Sequence, residues 1–184
     1  MTTVYNRLLA KGYEMINTVN GYDDDEVLRN LYGPSRKETW KPILVQRDVP
    51  GRYKKVKIAD LPFDYNALVL RASAIEPLRD ILEAHGEVLP LATLDGTELF
   101  VFNPRFVIDA LDKERSSLEQ IPNTKAVLIR KHVFIESMVC DVDIFRLPIG
   151  PREPYFSDRF VERVKKAKLK GTDFIKLWSS DENA

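Results

Sequence analysis

The sequence predicts an α+β fold, mostly antiparallel sheet, and two observations carry that prediction. The first is a unit that occurs twice: a strand, a serine, an amphipathic helix, a glycine and a second strand. The clearer copy runs from Pro154 to Trp178 and the other from Ala67 to Leu91. The second is the set of short apolar runs bounded by turn residues along the rest of the chain. With two or three helices among them, such runs indicate helices packed against a sheet.

In the C-terminal copy, Tyr155 and Phe156 lead into Ser157, whose hydroxyl can accept a bond from the free amides of a helix start. Phe160, Val161, Val164 and Ala167 recur at helical spacing, while Glu162, Arg163, Lys165 and Lys166 take the other face. Lys168 and Lys170 fall in the last turn, where cations suit the helix dipole, and Gly171 is the expected left-handed stop. Phe174, Ile175, Leu177 and Trp178 return as a strand. In the first copy Ser73 is the expected cap, Glu76 completes a capping box, and Pro77 falls in the first turn. Ile75, Leu78, Ile81 and Leu82 supply its buried face, and Gly86 is the stop.

Residues 1–20 are ambiguous: Val4, Leu8, Met15 and Ile16 could line a helix, but Gly12 interrupts it. Asp23 to Glu26, Val27, Leu28 and Leu31, closed by Gly33-Pro34, predict a short helix. Residues 1–40 therefore read as a short N-terminal helical extension packed on a main domain at 41–179, with 180–184 as a frayed tail. Trp40 to Arg47 reads as a strand and Pro50-Gly51 as a turn. Arg52, Lys54, Lys55 and Lys57 interleave with Tyr53, Val56 and Ile58, which suits an edge strand with lysines on the wet face. The competing reading of that stretch is base stacking on Tyr53 beside phosphate-binding lysines.

Val88 to Leu94 reads as a strand, Asp95-Gly96 as a hairpin turn, and Leu99 to Phe102 as the return. Phe106 to Leu111 continues as strand or short helix, and Asp112 to Gln120 as a solvated turn or helix. Ala126 to Arg130 and Asp143 to Leu147 are further strands, with His132 to Met138 open between strand and short helix. Pro148, Pro151 and Pro154 bracket a rigid loop into the last unit.

Composition narrows the function. The 184 residues suffice for one sizeable core, or a core domain with a smaller extension. Basic and acidic residues both number 28, and a net charge of zero argues against a dedicated nucleic-acid binder. Cys140 is the only cysteine, so no intrachain disulfide forms. The N-terminus lacks the apolar core of a signal peptide, and no run approaches the roughly 20 apolar residues that span a bilayer. A cytoplasmic protein with no membrane partner is expected.

No constellation specifies chemistry. His85 and His132 are the only histidines and no metal-ligand spacing occurs, so no metal site and no cofactor are expected. His85, one residue before Gly86, reads as a structural cation at a helix end. Cys140, His132 and Asp141 or Asp143 can be written as a triad, but the fold assembles triads, not nearness in sequence. Cys140 is expected in or beside a core strand. Asp141 and Asp143 would share a strand face, as a metal-dependent phosphotransfer or glycosidase site requires. Solvated strand ends explain them, and the pair Asp109 and Asp112, equally well. No catalytic residue is assigned, and an enzyme is not expected.

From about Trp40 onward a set of segments occurs in a fixed order: Asp60 to Leu70, Ser73 opening a helix that ends at Leu82, Leu89 to Leu91 and Leu99 to Pro104. Ile108 to Ser116, Ile144 to Leu147, Tyr155 to Phe160 and Leu169 to Phe174 follow. In this order the chain resembles bacterial immunity protein family eleven, whose members are encoded beside polymorphic toxins. Members often have an "lNv" segment where this chain reads Phe102-Asn103-Pro104, and residues 1–40 have no counterpart. The resemblance implies a non-enzymatic inhibitor of a cognate toxin domain encoded by the adjacent gene, with contact-dependent or type VI delivery and a nuclease as one candidate toxin. A nuclease has a basic active site, and an acidic patch would speed its capture. Asp23, Asp24, Asp25 and Glu26 are then the candidate toxin-binding acids, and Trp40, with Tyr22 and Tyr32, the candidate aromatic anchors. The alternatives are a binding or regulatory module with another partner, including nucleic acid through Arg52 to Lys57, and a hydrolase using Asp141 and Asp143. Oligomeric state stays open.

Overall fold

A computed structural model describes residues 1–49, 55–124, 127–150 and 153–183. The turn at Pro50-Gly51, the basic residues Arg52 and Lys54 with Tyr53, and also Ala126 and Pro151, lie outside the described residues. The first half of the chain holds β1 (Thr3–Leu9), β2 (Met15–Thr18), α1 (Tyr22–Arg29), β3 (Leu44–Asp48), β4 (Leu68–Arg71), α2 (Ala72–His85) and β5 (Gly86–Pro90). Then come β6 (Ala92–Thr93), β7 (Leu99–Pro104), β8 (Ser117–Gln120), β9 (Val127–Lys131), α3 (Glu136–Val139) and β10 (Ile144–Phe145). The chain ends with β11 (Tyr155–Ser157), α4 (Asp158–Lys166), β12 (Thr172–Ser179) and a 3-10 turn at Ser180–Asn183. The fold is mixed α+β with mostly antiparallel sheets.

The repeated units are β4–α2–β5 and β11–α4–β12, and in neither are the two strands neighbours. β7 lies between β4 and β5, and β1 lies between β11 and β12, each antiparallel to both flanking strands. The outer strands of each unit are therefore parallel to one another, which is why each needs a helix to carry the chain back. The resulting sheets run β4-β7-β5 and β10-β11-β1-β12, beside smaller sheets β2-β3-β6 and β8-β9. β7 returns beside β5 after a connection that contains β6 and the turn at Asp95-Gly96, and Leu91 donates its amide to the Leu99 carbonyl at 2.9 Å where the two ends meet. β1 comes from the other end of the chain.

Strand alternation sends successive side chains to opposite faces, and here apolar cores cover both faces of both larger sheets in part, with Leu8 of β1 and Ile175 of β12 left exposed. A central core joins Leu68 and Leu70 of β4, Leu78, Ile81 and Leu82 of α2, Phe102 of β7, Ile144, Phe156 and the α4 residues Phe160, Val161 and Val164. On the far side of the four-stranded sheet, Val4, Phe145, Tyr155 and Trp178 join Leu111, Ile129, Val133 and Phe134 in a second core. On the far side of the three-stranded sheet, Val69, Leu89 and Val101 meet Ile16, Leu28, Leu31, Ile43 and Val45 in a third. Double-sided burial explains why β4, β7 and β11 read as continuous apolar runs. Between the sheets α2 and α4 touch, and Arg163 donates to Asp80 at 2.7 and 3.1 Å and to the Pro77 carbonyl at 3.1 Å.

Several local expectations change. The ambiguous residues 1–20 hold two strands and no helix, because β1 and β2 take their backbone partners from distant strands. Ser157 caps α4, accepting the Phe160 amide at 3.2 Å, as expected. Ser73 does not cap α2: the helix starts at Ala72 with Arg71 as its N-cap and no side-chain cap bond. The Ser73 hydroxyl donates instead to Asp60 at 2.5 Å, and Pro77 sits deeper in the helix than a capping box would place it. Gly86 ends α2 in extended backbone, φ 172, so its requirement is space: a Cβ would lie 2.2 Å from the Asn103 carbonyl oxygen. The left-handed residue after α4 is Lys168, φ 56, while Gly171, φ 108, packs so closely on Ala59 that a Cβ would lie 2.1 Å from the alanine's own.

The remaining strands shorten or move. The Trp40–Arg47 run is strand only from Leu44, and Val88–Leu94 divides into β5 and β6, which leaves β6 to pair in parallel with β3. Phe106 to Leu111 is extended chain with single bridges at Val107 and Leu111. Asp112 to Gln120 turns and then forms the exposed strand β8, and the His132–Met138 stretch ends in α3.

The two serines give a direct test. Ser157→Ala should cost about 1–2 kcal/mol, the usual range for a lost N-cap, whereas Ser73→Ala should stay near about 0.5 kcal/mol. Urea denaturation of the two variants measures the difference, and equal losses would mean that the capping assignment is wrong.

Candidate partner-binding face

Helix α1 is short, so its position depends on what holds its ends. Leu28 at 1% exposure and Leu31 at 2% anchor it in the third core. At its start Gly21 supplies no side-chain cap, and three acids, Asp23, Asp24 and Asp25, sit in the first turn where the helix dipole favours them. The Thr18 hydroxyl donates to Asp25 at 2.8 Å, and Asn20 donates to Asp24 at 2.9 Å. At the other end the buried guanidinium of Arg146 donates to the carbonyls of Arg29 and Leu31 at 3.1 and 3.2 Å and lies 4.6 Å over the Tyr32 ring. An arginine inside the apolar Ile144-Phe145-Arg146-Leu147 run was the sequence signal for this tie.

The acidic run is thus not one uniform patch. Asp25 is held by Thr18, and Glu26 accepts from Asn30 at 2.7 Å and lies 3.7 Å from Arg29. Asp23 is exposed and Asp24 lies half-buried at the rim of a groove. That groove, about 240 Å³, is lined by Asp24 and Val27 of α1 and by Arg36, Thr39, Trp40, Lys41 and Ile43. The fold therefore brings Asp24 and Trp40, sixteen positions apart in sequence, onto one concave surface.

Trp40 is fixed rather than free. Its indole N–H donates to the Pro90 carbonyl at 2.7 Å, and its ring packs against the third core while part of it remains exposed. The loop that carries it is pinned by Glu87, which accepts from the Arg36 amide at 2.6 Å, the Ser35 hydroxyl at 2.8 Å and Asn103 at 2.8 Å. Burial pushes the Glu87 carboxyl up, but those three donors outweigh it and hold it below the usual range. Exposed apolar groups surround the groove's helix: Tyr22 at 71%, Val27 at 42% and Val19 at 38%. Tyr32, at 38%, is occupied by Arg146.

The residues considered for catalysis do not converge. Asp141 is exposed in a turn, while Asp143 is 5% exposed and ion-paired to Arg159, so they share no strand face. Asp143 also accepts the Ser157 hydroxyl at 2.5 Å, and its amide donates to His85 Nε2 at 2.9 Å. Since that nitrogen accepts, the His85 proton lies on Nδ1, which donates to the Ile81 carbonyl at 2.8 Å. His85 is therefore a neutral buried link between α2 and the α4 cap, not a cation facing a dipole. Cys140 is exposed at the C-cap of α3 and not in a core strand. Desolvation and the neighbouring Asp141 push its thiol above the usual value, the wrong direction for a nucleophile. Asp109 pairs with Lys113 at 2.7 Å, and Asp112 accepts the amides of Glu114 and Arg115 at 3.1 Å in a turn. Among the described residues no group of His, Cys, Asp and Glu is arranged to hold a metal ion, and no helix is long and apolar enough to cross a membrane.

The frame is thus a mixed α+β protein made of two split strand–helix–strand units, with a pre-formed groove between an acidic helix start and an anchored tryptophan. Residues 93–178 match the model of the Immunity protein family (Imm11). No curated protein matches the chain. The matched stretch runs from β6 into β12 and includes Arg146, while β1, α1 and Trp40 precede it.

His132 supplies a pH prediction. Its Nε2 lies 3.2 Å from the Tyr155 hydroxyl, and burial lowers its pKa from 6.5 to about 4. The folded state therefore favours neutral His132, so its contribution is complete above about 6.5 and is lost as pH falls towards about 4. Urea midpoints measured between neutral pH and the His132 value should fall less for His132→Phe than for the parent chain. Parallel profiles would exclude His132 as a source of acid sensitivity.

Proposed function

We propose that this chain is an immunity protein that binds the toxin domain encoded by the adjacent gene and neutralises it by occupation, with no reaction of its own. The family match over residues 93–178 is the observation that carries this reading. The groove at α1 and Trp40 is where the toxin docks. A tryptophan already fixed by its bond to Pro90 loses little freedom on binding and presents a large apolar area, the usual character of an interface anchor. Asp23 and Asp24 add negative charge beside it and favour a basic toxin surface such as a nuclease active site. Delivery by a contact-dependent or type VI route, and an antidote acting in the cytoplasm, follow from the same reading.

Co-purification with the adjacent gene product, followed by titration, tests it. The expected result is a tight one-to-one complex that silences the toxic activity. Trp40→Ala should weaken it by about 2 kcal/mol or more, the range for a central aromatic anchor. Joint Asp23→Asn and Asp24→Asn substitution should chiefly slow association, most strongly at low salt. No complex, together with no protection of cells making the neighbour, would overturn the proposal.

A further inference from the structure

A second, larger groove lies at the C-terminal end of α4, with a volume of about 580 Å³. Its floor is apolar, from Ala10, Val164, Leu169 and Phe174, and its rim carries Lys165, Lys168 and Lys170. All three lysines are exposed, and none has an ion-pair partner among the described residues. Lys57 adds a fourth cation beside the groove, its ammonium 5.7 Å over the ring of the lining residue Tyr13. Among the described residues, Asp173 is the one acid on the lining.

The helix dipole does not account for this cluster. Its effect fades within the last turn, which explains Lys165, but Lys170 lies beyond the helix. Lys168 sits at φ 56, a left-handed position that costs a side-chain-bearing residue about 1 kcal/mol and that glycine usually fills. The charge density is therefore concentrated where local backbone preference opposes it.

From this geometry we infer that the α4 groove is a docking site for an acidic polypeptide segment that carries an apolar side chain. The three exposed ammonium groups supply the complement to its carboxylates, and the apolar floor receives the side chain. A nucleic-acid strand fits less well, because neither tyrosine presents an open face for a base. Tyr13 is covered by Lys57, and Tyr5 is packed against the central core with its hydroxyl donated to Asp158 at 2.9 Å. The site is separate from the Trp40 groove and holds or fails independently of the toxin reading.

The experiment is a fluorescence-anisotropy titration of the full chain with a short labelled peptide of glutamates around a central leucine. Its controls are the same peptide with glutamine for glutamate and a single-stranded oligothymidylate. Saturable binding that weakens with salt, is absent for the glutamine peptide and falls about tenfold or more in Lys165→Gln/Lys168→Gln/Lys170→Gln is expected. Trp40→Ala should leave the peptide affinity unchanged. Circular dichroism checks that the triple variant folds, and the glutamine-peptide and salt comparisons stand on the parent chain alone. Absence of binding, equal binding of the two peptides, preference for the oligothymidylate, or loss of peptide binding in Trp40→Ala would each overturn the inference.

Discussion

The insertion of β1 between β11 and β12 is the constraint on which the rest of the structure depends. β1 pairs with β12 along its whole length, Thr3 to Leu9, and with β11 at Val4 and Tyr5. The last two strands are parallel and not adjacent, so without β1 each would present an unpaired edge to a gap. Val4 and Tyr5 then point into different cores, so one strand serves both sides of the sheet. Asp158, in the first turn of α4, accepts the Thr3 amide at 3.0 Å and the Tyr5 hydroxyl at 2.9 Å. Helix start, sheet and chain start are therefore tied at one carboxylate. The Thr2 and Ser180 backbones close the arrangement with a bond of 2.9 Å. Contacts of such long sequence separation are assembled late and slowly in folding.

Buried charges join the layers that hydrophobic packing alone would leave free to slide. Arg7 is 2% exposed, donates to the carbonyls of Asp64 and Ala67 at 3.0 and 2.7 Å, and lies 5.2 Å over the Phe63 ring. Burial presses its pKa down, and Glu153 and Asp64 oppose that shift. Glu14 is fully buried, accepts the Ala59 amide at 3.0 Å, and is ion-paired to Arg71 of β4 at 2.6 Å and to Arg47 of β3. Arg146 joins the end of α1 to the segment after β10. Breaking one member of such a set leaves its partner buried and uncompensated, so these residues specify geometry even where their net contribution is small.

The α1 face inherits its shape from those ties. The acids at the helix start were visible in the sequence, but their sorting was not. Thr18 and Asn30, which take Asp25 and Glu26 out of play, are ordinary polar residues whose partners depend on how the chain turns. Trp40 was visible as an aromatic, whereas its fixed orientation depends on a carbonyl fifty residues away, at Pro90. The tertiary structure alone placed Asp24 and Trp40 on one surface. It also separated Asp141 from Asp143, which nearness in sequence had joined.

Local patterning was enough for the α+β class, both strand–helix–strand units, the cap at Ser157 and the turn at Asp95-Gly96, because each depends on residues within a few positions of one another. The order of the family-like segments was also in the sequence. Residues 1–20 were not decidable locally, since Val4, Leu8, Met15 and Ile16 suit more than one period and their hydrogen-bond partners are far along the chain. Ser73 and Gly86 show the same limit at single residues. A serine near a helix start can cap it or bond elsewhere, and a glycine can be needed for its backbone angle or for the space beside it. Which applies is decided by Asp60 and Asn103, and only the assembled fold brings those groups into contact.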